Sequence, residues 1–104
     1  MSFEYILKTN QYELLIAHLQ AAIESHPNIE SSQRGFSFKA TTPSTWASSL
    51  DITIEPGFLY IVVHSHDDTI AHLSNLLQDF LRREGVVLTI TNDDGKDMNS
   101  VFGL

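Results

Sequence analysis

The chain has 104 residues, enough for one domain around one core, so 1–104 is read as a single globular domain. Six Lys and Arg against 13 Asp and Glu leave a net charge of −7, and there is no cysteine. The missing thiols remove disulfides, cysteine nucleophiles and cysteine-ligated zinc, and they suit a reducing compartment. The negative field repels phosphate backbones, which argues against nucleic acid, while it keeps the chain dispersed and draws basic partners. The longest apolar run, Phe58 to Val63, is far short of a membrane span. "MSFEYILKTN" has no basic region ahead of an apolar stretch. The expectation is a cytoplasmic, soluble protein with no membrane partner.

In chain order, "FEYIL" at residues 3–7 is a candidate strand at a sheet edge. "NQYE" then opens a helix, with Asn10 as cap and Glu13 reaching back in a capping box. Tyr12, Leu15, Ile16, Leu19, Ala22 and Ile23 form one apolar stripe, and Pro27 ends the helix, giving residues 11–25.

The period then changes from 3.6 to 2. Phe36, Phe38 and Ala40 alternate with Ser37 and Lys39, and Trp46, Leu50, Ile52 and Ile54 alternate with Asp51, Thr53 and Glu55. "TTPS" and "EPG" mark turns. "FLYIVVH" is apolar on both parities and reads as a strand covered on both sides, in the middle of the sheet. Ile70, Leu73, Leu76, Leu77, Phe80 and Leu81 make the stripe of a second helix, with Arg82 and Arg83 at its end and Gly85 as the left-handed residue that closes it. "VVLTIT" is the last strand, and "NDDG" turns the chain.

The expected architecture is α+β. It is a two-layer sandwich of an antiparallel four-stranded sheet with two helices on one face, in the order α-β-β-β-α-β. A fifth strand is added if residues 3–7 join.

"HSHDD" at 64–68 raises the question of metal chemistry. His64 and His66, with Asp67, Asp68 or His72, offer ligands that suit zinc, manganese or iron. The alternative accounts for more residues. Ser65 caps the second helix, Asp68 takes the carboxylate position of a capping box, and Asp67 and Asp68 favour the positive end of the helix dipole. Capping is preferred, so no metal, cofactor or catalytic residue is assigned. Ser65 has no glycine-flanked elbow. "NDDGKD" fails as a calcium loop because Ile90 and Val101 would fall at its ends.

The polar handles of Tyr60 and His64 place the parity of Phe58, Tyr60, Val62 and His64 outward, opposite Leu59, Ile61 and Val63. With both helices on one side, the other sheet face shows Phe58, Tyr60 and Val62 beside Lys39, Thr53 and Thr89. Either the tail with Met98, Val101 and Phe102 folds over this patch, or the patch binds something. Trp46 has core parity but polar surroundings, so it is either packed or a second anchor. Exposed aromatics on a sheet resemble those of single-stranded-RNA readers, and the helix, three strands and helix are similar to the order in double-stranded-RNA-binding domains. The lysines and arginines of both are missing here, and "HDD" stands where the second class has a basic cluster.

The leading expectation is a non-catalytic acidic module for a basic protein partner, profiled like the bacterial immunity proteins that neutralise basic toxins. Its contact residues would be Asp51, Glu55, Phe58, Tyr60, Val62, His64 and Trp46. The alternatives are a homo-oligomer pairing through the open sheet face and a small metal-dependent enzyme using His64, His66 and a carboxylate.

Overall fold

A computed structural model describes residues 3–39, 49–65 and 68–104. Among them the chain runs through β1 (Phe3–Thr9), α1 (Tyr12–Ala22), β2 (Ile29–Ser32), β3 (Gly35–Phe38), β4 (Leu50–Glu55), β5 (Phe58–Val63), α2 (Asp68–Leu81), β6 (Leu88–Thr91) and a final 3-10 turn (Asn99–Phe102). The α+β class and the antiparallel sheet are as expected. The strand count and order are not: one six-stranded sheet has the order β2-β3-β4-β5-β1-β6.

Two features of the strands explain the difference. β2, "IESS", buries only Ile29, so it lacks the apolar alternation by which a strand is read. Backbone pairing with β3 holds it, from Ile29 opposite Phe38 to Ser32 opposite Gly35. β1 is not an edge strand but lies between β5 and β6, antiparallel to both.

The helices share a face for a topological reason. β1 and β2 point one way, and β5 and β6 point the other. The α1 connection travels toward the β2 edge and the α2 connection toward the β6 edge. Right-handed crossovers of opposite strand sense and opposite travel place both helices on the same side. One core joins Leu15, Leu19, Leu73, Leu77 and Phe80 of the helices to Leu7, Phe36, Phe38, Ile52, Leu59, Ile61 and Ile90 of the sheet.

Local details correct several boundaries. α1 spans 12–22 rather than 11–25, and Gln11 stands at its cap position with no side-chain cap bond. Asn10 instead reaches across the sheet end. Its Nδ2 donates to the Gly85 carbonyl at 2.7 Å, and its Oδ1 accepts the Val87 N–H at 2.8 Å. The asparagine amide thus mimics one more peptide of the β1–β6 ladder. Gly85 is left-handed, φ 79°, but α2 ends at Leu81, so Gly85 belongs to the following turn rather than to the helix cap. The last strand starts at Leu88 rather than Val86.

The hairpin between β4 and β5 is closed by Pro56 and Gly57. Gly57 has φ 84°, which suits the third position of a type II turn after proline. Tyr12 at the start of α1 donates its hydroxyl to the Glu55 carbonyl, anchoring the helix to this hairpin. No described helix is long and apolar enough to cross a membrane.

Candidate functional site

β5 is central, as expected, but only one of its faces is sealed. Leu59, Ile61 and Val63 are fully buried, while Phe58, Tyr60 and Val62 are half-buried on the face without helices. The register lays out that open face. Asp51 stands opposite Val62, Thr53 opposite Tyr60 and Glu55 opposite Phe58. On the other side of β5, Glu4 stands opposite Val62 and Ile6 opposite Tyr60. On the β4 side, Ser37 pairs with Asp51.

The C-terminal segment does not cover this surface. It turns back along the outer edge of β6 and packs on the helix side, where Phe102 is buried and meets Tyr5 edge-on at 5.3 Å. Asn99 guides it by accepting the Ile90 N–H at 2.7 Å and donating to the Leu88 carbonyl at 3.2 Å.

The polar groups of the open face are tied to one another. The Ser37 hydroxyl donates to Asp51 Oδ1 at 2.7 Å, and His64 Nε2 donates to Asp51 Oδ2 at 2.9 Å. Serine, aspartate and histidine meet here, but in the wrong order for nucleophilic catalysis. The carboxylate sits between the other two, so the serine proton points at an anion, and no imidazole among the described residues is placed to take it. The arrangement fixes a carboxylate on a surface, with His64 20 % and Asp51 36 % exposed at the side chain. Next to it, the Tyr60 hydroxyl donates to the Glu4 carboxylate. That bond, then desolvation and the charges of Glu4 and Asp93, pushes the Tyr60 pKa up to about 12. Tyr5, on the buried parity of β1, is raised by desolvation.

Of the residues expected in a contact surface, Asp51, Glu55, Phe58, Tyr60, Val62 and His64 thus fall on one face. Trp46 lies outside the described residues, as do His66 and Asp67, and with them the His64–His66 pair and the "HDD" cap. Among the described residues no group of three or more His, Asp or Glu could hold a metal ion. The remaining histidines sit between the helices or at their ends. His18 Nε2 donates to the Leu76 carbonyl at 3.0 Å, and the His26 and His72 rings lie 6.3 Å apart. "NDDGKD" is a turn, as expected. Asn92 Oδ1 accepts the Asp94 and Lys96 N–H groups, and Gly95 takes φ 78°.

Glu4, Ile6 and Ser37 were missed as members of this surface. The alternation of Glu4 and Lys8 with buried Tyr5 and Leu7 signals an outward parity, but only the position of β1 beside β5 brings Glu4 to Tyr60. No protein-family model matches the chain, and neither a curated protein nor a solved structure matches it significantly.

Proposed function

We propose that the protein is a non-catalytic binding module that uses the open face of its sheet to hold a basic protein partner, in the manner of an immunity protein or antitoxin. One observation carries the reading: Phe58, Tyr60 and Val62 alternate along a central strand whose neighbours display Asp51, Glu55 and Glu4 in register with them. Carboxylates on β1 and β4 flank β5 at about 10 Å from each other, two strand spacings. Their hydrogen bonds to Tyr60, Ser37 and His64 hold them in place before any partner arrives, which lowers the ordering cost of binding. The half-exposed rings supply apolar contact and the acids supply long-range attraction, a division common at protein interfaces.

The test is retention of a basic protein from host extract on the immobilised chain at low salt. The partner should elute as salt rises, and a column carrying Asp51→Asn and Tyr60→Ala should fail to hold it. A protein held equally by both columns, or indifferent to ionic strength, contradicts the proposal. Sedimentation of the purified chain at micromolar concentration addresses the competing use of the same face, pairing with a second copy. A monomer is the expected result.

A further inference from the structure

The sheet carries a notch at one corner. The β1–β5 ladder starts at Phe3, whereas the β1–β6 ladder starts only at Ile6. Beyond Thr91 the chain turns away through Asn92–Gly95, so among the described residues Glu4 has no ladder partner on that side. The direction of their backbone groups follows from β6. Ile90 donates to Asn99 Oδ1 and accepts from the Met98 N–H, both on the outer side of β6. Alternation along an antiparallel ladder therefore aims Thr89 and Thr91 at β1, and Lys8 and Ile6 back at β6. Two residues earlier, it aims the Glu4 amide and carbonyl into the notch.

A groove of about 380 Å³ opens there, lined among others by Phe3, Glu4, Tyr5, Asp93, Asp94 and Met98. Its walls are partly apolar: Phe3 is 42 % exposed, and Met98 is half-buried against the core. Its rim carries three carboxylates, none of them in an ion pair among the described residues.

We infer that this notch seats an extended segment of a basic protein, which pairs its backbone with Glu4 and inserts a lysine or arginine side chain into the groove. The chemistry selects that occupant. A long cationic side chain lays its methylene stem on apolar surface and keeps its charge at a polar rim, and here Phe3 and Met98 meet the stem while Glu4, Asp93 and Asp94 meet the cation. The exposed strand backbone supplies hydrogen bonds independent of sequence, as in strand addition to a sheet edge. An acidic segment or a phosphate would be repelled by the same rim. This inference rests on the open-face reading and deepens it, because Glu4 also holds Tyr60 and so joins the notch to that face.

The test is an amide chemical-shift titration of the isotope-labelled chain with a capped hexapeptide of alternating lysine and valine at low salt. The expected shifts concentrate at Phe3, Glu4, Tyr5 and residues 92–94. Asp93→Asn with Asp94→Asn should weaken binding roughly fivefold, while Glu24→Gln, an exposed acid just beyond the end of α1, leaves it within about twofold. The same peptide with glutamate in place of lysine should give no shifts. Shifts confined to Thr53–Tyr60, with the double variant unaffected, would overturn the notch and leave the open-face reading standing. No shifts at millimolar lysine peptide, or equal shifts from the glutamate peptide, would also overturn it. Loss of the host partner's salt-dependent retention would instead count against the open-face reading itself.

Discussion

The two faces of the sheet use the same strands in opposite ways. On the helix side, Phe36, Ile52, Leu59, Ile61 and Ile90 are all at or below 2 % exposure and belong to one hydrophobic core. On the open side, one residue along in each strand, Ser37, Asp51, Tyr60 and Glu4 pair with each other and keep contact with water. The first face is held by removal of apolar area from water, which has no direction and tolerates no missing volume. The second is held by hydrogen bonds of fixed direction, whose net contribution to folding is small. A face that contributes little to stability yet keeps its side chains ordered is available for another molecule.

The sharpest way to break this contrast is to truncate one aromatic on each side. Phe36→Ala should cost about 3–5 kcal/mol by calorimetry or denaturant unfolding, as for other phenylalanines removed from a closed core. Tyr60→Ala should cost about 1 kcal/mol, because its ring is only half-buried. Equal losses would erase the distinction between the faces.

Gly35 is the exception that sharpens it. It shares the open parity with Ser37, where small changes should be tolerated, yet a Cβ at that position would lie 1.9 Å from the Ile52 carbonyl oxygen. β3 and β4 approach this closely only because residue 35 has no side chain. Gly35→Ala should therefore lower stability by about 2 kcal/mol and loosen the β2–β3 hairpin, seen as faster amide exchange at Phe36.

A smaller loss is expected where the sheet ends. Asn10→Ala removes two bonds to the 85–87 turn and should cost about 1 kcal/mol. Helix content should be unchanged, since Asn10 does not cap α1.

The smallest effect is a shift in titration. Tyr60 is raised from 10 to about 12, so the neutral phenol is favoured in the folded chain. Its contribution to stability is complete below pH 10 and is lost as the pH rises through about 12. Glu4→Gln should bring the phenolate absorbance change of Tyr60 down toward the ordinary tyrosine value. An unmoved titration would remove Glu4 as the cause.

What was legible in the sequence was whatever depends on period. Leu50 and Ile52 alternate with Asp51 and Thr53 so regularly that strand and buried face follow from the pattern, although Ile54 on the same parity ends exposed near the hairpin. The polar handles of Tyr60 and His64 likewise indicated which parity of β5 meets water. β2 was hidden because Glu30, Ser31 and Ser32 bury nothing, and their place is set by the backbone of β3. Asn10 satisfied the pattern of a helix cap, but its amide also matches a peptide group, and the partner it found is 75 residues away. Neither the Ser37–Asp51–His64 network nor the Glu4–Tyr60 bond could be read in advance. Each needs the spatial order of strands, which is decided by crossovers and not by local spacing.

The most direct test of the open face as a contact surface is titration calorimetry of the salt-eluted host partner against the unaltered chain and Tyr60→Ala. Thermal unfolding of both should be measured alongside. The expected result is at least about thirtyfold weaker binding, the loss of a central aromatic anchor, with Tm lowered by only a few degrees. Unchanged affinity in a folded Tyr60→Ala chain would contradict the account.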